Sequence, residues 1–501
     1  MSSPTAKASE AGGGDLVSRL GGLSTSDDVA TSASGEGESS STAQKSAGLV
    51  PDAAGGSAVA KETLKQTLGE VFVTLADKQG DESSPLYSAK SFQELNLSPE
   101  LLKGIFKMGF QKPSKIQERA LPLLLQNPPR NLVGQSQSGT GKTCAFVLDM
   151  LSRVDASIKN TQCICVAPTR ELADQIKSET DKMGQFTSIT SGLFVKTDSP
   201  EALRARWAQI ESEGAPQIAV GTPGSLAAFV SRSGFSAKDL KVFVLDEADA
   251  LLGPGSGQLA NQTVTIRNAI SKAGAPKTMQ IVLFSATFPG GVQKWMDKFA
   301  PDANQIMLQK TETQYQTNIK QFFLDVANEQ AKYDVLVELY SLLSIGSSII
   351  FVNRRESADE IARRMTSEGH QVVSLHGQQS GADRDEKLES FRSGKSKVLI
   401  STNVLSRGVD VPQVTMVINY DLPSKMPGGD EPHVIYLHRI GRAGRFGRTG
   451  LVVNLIHDSR SYTTFEDIRG KAGIDDSAVK LDAKNFPEME QVLKAALKST
   501  H

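Results

Sequence analysis

Val242, Phe243, Val244 and Leu245 form an uninterrupted apolar run that ends abruptly in Asp246 and Glu247, followed by Ala248 and Asp249. Such a run is what a strand buried on both faces of a parallel sheet requires. Open α/β sheets bind ligands at the carboxyl ends of their strands. Asp246 suits a magnesium ion held largely through water, because Mg²⁺ dehydrates reluctantly. Glu247 suits a base that takes a proton from an attacking water. The competing reading of the stretch alone is a strand running into an acidic turn.

The other segments bear on that choice. After an apolar run at Asn131–Gly134 comes Ser136-Gln137-Ser138-Gly139-Thr140-Gly141-Lys142-Thr143. This is a phosphate loop with Ser136 at the position of the first glycine. Ser138, Gly139, Thr140 and Gly141 bring backbone N–H groups to phosphate oxygens. Lys142 reaches the outer phosphates and Thr143 is a second Mg²⁺ ligand. Upstream, Phe110 can stack on a base, with Lys112 beside it. Gln117 offers the donor and acceptor that an adenine edge needs. A polar loop with one core Phe explains that upstream segment equally well in isolation.

At 501 residues the chain exceeds one hydrophobic core. Its apolar runs recur between helical patterns, the mark of doubly wound parallel sheets. In the first half they lie at Asn131–Gly134, Cys163–Ala167, Ile218–Val220, Val242–Leu245 and Ile281–Phe284. In the second they lie at Phe322–Val326, Ile349–Val352, Val372–Leu375, Val398–Ile400, Met416–Ile418 and Val452–Ile456. The expected fold is α/β, with two tandem doubly wound domains at 84–309 and 319–501 joined by a linker at 310–318. A Ser/Gly/Ala-rich tail at 1–83 reads as disordered, because it lacks the apolar surface to offset ordering entropy. Within it, Leu64, Leu68, Val71, Phe72 and Leu75 fall at helical spacing, which predicts a helix near 61–78. That helix either caps the next domain or is a mobile regulatory element.

No long uncharged apolar run is present, so no membrane span is expected. The start lacks a secretory pattern. The three cysteines, Cys144, Cys163 and Cys165, fit buried positions in a reducing compartment. With Lys+Arg 55 against Asp+Glu 56, nucleic-acid binding would need basic groups focused into a groove.

Strand-end loops supply such groups. Pro168, Thr169 and Arg170 follow the second run, and Thr222 and Gly224 follow the third. Asn353, Arg354 and Arg355, then His376 and Gly377, then Thr402, end runs in the second half. Hydroxyls, arginines and backbone N–H groups suit a phosphate backbone. Ser285 and Thr287 can link the acidic strand end to groups across a cleft. Gly408 and Asp410 are candidate ribose contacts. The segment from His438 to Arg448 repeats arginine every third residue. It is either a basic surface helix or a source of arginine fingers, Arg442 and Arg445, that reach a γ-phosphate from the second domain.

Taken together, these segments resemble the DEAD-box ATP-dependent RNA helicases, over about residues 84 to 495 and in the family's motif order. The resemblance implies two RecA-like domains. It also implies ATP and Mg²⁺ as cofactors, single-stranded RNA as partner, and coupling through Ser285, Thr287 and His438. The segments from Ser84 to Phe92 and from Asp421 to His438 are similar to the subfamily that acts in mRNA export at the nuclear pore. That likeness implies a nucleoporin β-propeller partner at the pore's cytoplasmic face, and an export activator carrying inositol hexakisphosphate. It places the chain in nucleus, cytoplasm and pore, as a monomer, with a restraining helix before the core. Two positions depart from the family pattern: Ser191-Gly192 stands for a Gly-Gly pair, and Gly381 for a Gln three residues before Arg384. The competing functions are a helicase of translation or ribosome assembly, a DNA translocase and a non-catalytic RNA clamp.

Overall fold

The computed structural model describes residues 71–75 and 88–498, apart from 136–138, 198, 254–255, 287–295, 309–318, 344–345, 404–413, 426–430, 445–448 and 475–477. Two sheets carry the architecture. The first contains β1 (Val71–Thr74), β2 (Leu132–Gln135), β3 (Cys163–Val166), β4 (Ser191–Phe194), β5 (Ile218–Gly221), β6 (Val242–Asp246), β7 (Gln280–Ser285) and β8 (Asn304–Leu308). Their spatial order is β1-β8-β2-β7-β6-β3-β5-β4, and every pairing is parallel except β1 with β8. The second contains β9 (Ile319–Asp325), β10 (Ser347–Phe351), β11 (Val372–Leu375), β12 (Val398–Ser401), β13 (Val414–Asn419), β14 (Gly450–Ile456) and β15 (Ala478–Leu481). Its order is β11-β12-β10-β13-β14-β9-β15, parallel throughout.

β6 shows why these runs become central strands. All five of its residues are buried, and alternate side chains enter different cores. Val242 and Val244 pack with helices Lys115–Leu125 and Lys142–Arg153 on one face. Phe243 and Leu245 pack with helices Pro223–Val230 and Gly257–Lys272 on the other. At roughly 1.5–3 kcal/mol per fully buried large apolar side chain, neither face tolerates a register slip. The second sheet is likewise covered on both faces by separate clusters.

The order β2-β7-β6 decides where the site lies. Three neighbouring parallel strands release the phosphate loop, Ser285 and the Asp246–Asp249 stretch at one edge.

The structure departs from the expected elements at the margins. Val71–Thr74, inside the expected helix near 61–78, is a strand paired antiparallel with β8. Its β-branched and aromatic residues suit a pleat. Val73 and Leu75 are buried with Thr74 exposed between them, a period of two rather than 3.6. Leu64 and Leu68 lie outside the described residues, as does the linker. β4, β8 and β15 carry no strong apolar run; β4 contains Gly192, and a Cβ there would come 2.6 Å from Pro216. No helix of the described residues is long and apolar enough to cross a membrane.

Candidate ATP and RNA site

The phosphate loop turns into helix Lys142–Arg153 through two left-handed glycines, Gly139 at φ +80° and Gly141 at φ +96°. An L side chain is strained at such angles. A Cβ on Gly141 would also come 2.4 Å from Nε2 of Gln117. That amide donates to the Gly141 carbonyl at 2.9 Å, and its Oε1 accepts from the Ser114 N–H at 2.9 Å. Ser114 in turn donates to the Thr140 carbonyl at 2.7 Å. Gln117 and Ser114, a reciprocal cap on helix Lys115–Leu125, thus hold the phosphate loop from behind. One amide hydrogen and one lone pair of Gln117 remain for a base. Phe110 is half-buried against the first-domain core, and Lys112 is exposed. Ser138 lies outside the described residues.

Burial pulls the Lys142 pKa down. Asp246, Glu247 and Asp249 oppose that shift, while the Arg442 guanidinium adds to it. The phosphate-loop lysine therefore feels both the acidic strand end and an arginine of the other domain. Asp246 is buried, which raises its carboxyl pKa, with Lys142 acting against the rise. Its Oδ1 accepts from the Glu247 N–H at 3.0 Å. Asp246 and Thr143, at the first turn of helix Lys142–Arg153, fit a Mg²⁺ ion, which needs one or two protein oxygens beside phosphate and water. When bound, that ion neutralises phosphate charge.

Glu247 sits at φ +52°, ψ 53°, in a left-handed conformation that non-glycine residues seldom adopt. It is buried, and its Oε2 has no hydrogen-bond partner among the described residues. A buried, unpaired carboxylate oxygen beside Lys142 is what a water-orienting base needs.

Asp249 connects the domains. Ser285 donates to its Oδ1 at 2.6 Å, and Nε2 of His438 lies 3.3 Å from its Oδ2. All three residues are buried. Arg442 is also buried, and its Nε donates to the His438 carbonyl at 3.1 Å. The expected pair Ser285 and His438 is therefore brought together by Asp249, which carries no role in the sequence reading. Thr287, Arg445, Gly408 and Asp410 lie outside the described residues.

On the side of Pro168–Arg170, the start of helix Arg170–Gly184 meets helix Gly381–Arg392 of the second domain. Thr169 caps helix Arg170–Gly184, and its Oγ1 accepts from the Leu172 N–H. Arg170 reaches Asp385 of the second domain at 2.7 Å and donates to the Lys196 carbonyl at 3.1 Å. Glu171, buried, meets Arg384 at 2.9 Å. Burial raises the Glu171 pKa and Arg384 holds it down. A Cβ on Gly381 already lies 2.4 Å from Nη1 of Arg170. A glutamine at 381 would displace the guanidinium from Asp385.

Pro168 is half-buried, Thr222 starts helix Pro223–Val230, and a Cβ on Gly224 would contact Gln262 at 3.2 Å. In the second domain Arg354, Arg355 and Gly377 are exposed and Thr402 is half-buried. His376 is buried instead, its Nε2 3.2 Å from Asp359 and from Gln379, so its ring is engaged within its own domain.

The sequence matches the DEAD/DEAH box helicase family over residues 114–295 and the helicase conserved C-terminal domain over 331–447. It is 51% identical over 429 residues to the ATP-dependent RNA helicase dbp5 of Schizosaccharomyces pombe, covering 86% of this chain and 81% of that protein. The chain belongs to the DEAD-box ATP-dependent RNA helicases. Among solved structures it resembles S. cerevisiae Dbp5 bound to RNA and ADP BeF3, with TM-score 0.72 and 46% identity over 82% of this chain and 100% of that one. It also resembles a variant of S. cerevisiae Dbp5 bound to Nup159, Gle1, IP6 and ADP, with TM-score 0.56 and 43% identity over 80% and 100%. For a DEAD-box enzyme, the Ser285–Asp249–His438 contact joins the acidic motif to the arginine motif.

Proposed function

We propose that this DEAD-box helicase is an RNA-stimulated ATPase whose site is completed by closure of the two domains, and that it remodels mRNA–protein complexes during export through the nuclear pore. The observation that carries the closure is the buried Ser285–Asp249–His438 contact, one turn from Arg442.

ATP sits on the loop around Lys142 and Thr143, with Phe110, Lys112 and Gln117 toward the base and Gly408 and Asp410 toward the ribose. Single-stranded RNA lies along the loops of Pro168–Arg170, Thr222, Gly224, Arg354, Arg355, Gly377 and Thr402, with His376 held inside its own domain. Both ligands prefer the closed arrangement, so each favours binding of the other. Glu247 orients the water, Lys142 meets the developing phosphate charge, and Arg442 and Arg445 complete the cage. Closure bends one RNA strand, which a duplex cannot follow, so short duplexes and bound proteins come off.

The yeast Dbp5 complexes support the cellular reading. This chain takes a pore β-propeller like Nup159 and an activator like Gle1 carrying inositol hexakisphosphate, at the cytoplasmic face of the pore. The test is binding of the purified chain to an isolated Nup159-type propeller, together with ATPase measured with and without a Gle1-type activator and IP6. Binding and activation are expected. A chain that neither binds the propeller nor responds to the activator belongs to translation or ribosome assembly instead.

A further inference from the structure

Arg439 is among the largest fully buried side chains of the second domain, with no exposed surface. Taking a guanidinium out of water costs several kcal/mol, and proteins usually offset this with a carboxylate. Here the acceptors are neutral. Asn403 Oδ1 accepts from Nε at 3.2 Å and from Nη2 at 2.6 Å. Asn419 Oδ1 and the Asp421 carbonyl accept from Nη1 at 3.1 and 2.6 Å. Asn353 Oδ1 accepts from Nη2 at 3.3 Å, and the Phe351 ring lies 5.0 Å from the guanidinium carbon. The Asp421 carboxylate is close enough to oppose the effect of burial on Arg439, but its own hydrogen bonds come from Lys332 at 3.0 Å and the Asn353 N–H at 2.9 Å.

Stability alone does not call for a charge here, since apolar groups of similar volume in place of both the guanidinium and its side-chain acceptors would fill the space without the cost of desolvating a cation. What only the planar fork provides is simultaneous contact with several chain segments. Asn353 follows β10, Asn403 follows β12, and Asn419 ends β13. Two of these segments lead into candidate RNA contacts, Arg354 and Arg355 next to Asn353, and Thr402 next to Asn403. Arg439 itself lies on helix Pro432–Ile440, adjacent to His438, whose carbonyl holds Arg442.

We propose that Arg439 is a positioning residue that transmits the arrangement of the RNA-facing loops to His438 and Arg442, so that RNA sets the arginine finger. The proposal rests on the reading of those loops as RNA contacts. Displacement of the Asn353 or Asn403 loop breaks bonds to a buried cation that has no water to replace them. The helix Pro432–Ile440, which leads into the finger, therefore moves with the loops. Burial draws the Arg439 pKa down to about 9, so the group is still charged at neutral pH.

The experiment uses the full chain. Steady-state ATPase is titrated with single-stranded RNA for wild type, Asn403→Ala, Asn403→Asp, Arg442→Lys and the Asn403→Ala/Arg442→Lys double variant. A misplaced group costs up to about a hundredfold. The expected result is a tenfold or greater fall in RNA-saturated kcat for Asn403→Ala. Asn403→Asp, which keeps an acceptor for the guanidinium, should lie within a few-fold of wild type. Asn403→Ala should add little in the Arg442→Lys background. Full additivity, or a loss confined to RNA half-saturation with kcat intact, overturns the proposal. An Arg354→Ala/Arg355→Ala variant is measured alongside. Unchanged RNA half-saturation there removes the loop reading and the proposal with it, whereas weakened RNA binding there with additive kcat effects removes the proposal alone.

Discussion

Asp249 and His438, 189 positions apart in the chain, meet in a buried contact of 3.3 Å between the two domains. The same carboxylate holds Ser285 at 2.6 Å. Closure of the domains is therefore read directly at the end of the strand that carries Asp246 and leads into Glu247. Asp249→Asn should lower RNA-stimulated kcat by about 10² while leaving nucleotide binding to the first domain near wild type. His438→Ala should lower it similarly, and the double variant should be no worse than either single. Nucleotide binding by fluorescence and ATPase with RNA measure the two properties separately. Additive losses would show that the contact does not act as a unit.

The ion pairs Arg170–Asp385 and Glu171–Arg384 join the same two domains beside the proposed RNA contacts Pro168–Arg170. Asp385 is 46% exposed, so its pair contributes only ~0.2–1 kcal/mol. Glu171 is 1% exposed at its side chain, and removal of Arg384 leaves a buried charge at a cost of about 3–5 kcal/mol. RNA affinity in the presence of a non-hydrolysable ATP analogue should therefore fall far more for Arg384→Ala than for Asp385→Ala. The reverse order would contradict the burial argument.

Gly381 gives a sharper handle. A side chain there meets the Arg170 guanidinium. Gly381→Gln should detach Arg170 from Asp385 and weaken the closed RNA complex by up to about fivefold. The Asp385→Ala variant should be insensitive to the same change. An equal effect in both backgrounds would mean that the substitution acts elsewhere.

Asp149 links pH to first-domain stability. It is fully buried, and burial raises its carboxyl pKa to about 7 despite Arg153 at 2.8 Å. A raised folded-state pKa means that protonation favours the folded form. The stabilisation is complete below the ordinary carboxyl value and is lost as pH rises toward 7. Asp149→Asn cannot ionise. The Tm of the variant minus that of wild type should therefore become more positive between pH 5.5 and pH 8. A difference that stays flat across this range would place the Asp149 pKa near its ordinary value.

Sequence reasoning reaches some of this directly. The apolar run into Asp246 and Glu247 is a local pattern, as are the glycines and Lys142 of the phosphate loop, and each constrains backbone and chemistry at once. β1 is harder, because Val71, Phe72 and Leu75 fit helical spacing until β8, more than 200 positions away, offers an edge to pair with. Asp249 reads as part of an acidic turn, since its partners arrive from β7 and from the other domain. Arg439 reads as one of several arginines, because spacing does not distinguish a buried guanidinium from an exposed one. His376 reads as a groove residue, and Asp359 on helix Arg355–Ser367 draws its ring inward. The missed relationships are all long-range, and they depend on which strands become neighbours.

The most direct test of RNA-gated closure is steady-state ATPase with and without single-stranded RNA, for wild type and Glu247→Gln. The account predicts a rate raised by RNA in wild type and a fall of about 10²–10⁴ in the variant, which should still bind RNA in the presence of ATP. Wild-type turnover that is the same with and without RNA would contradict it.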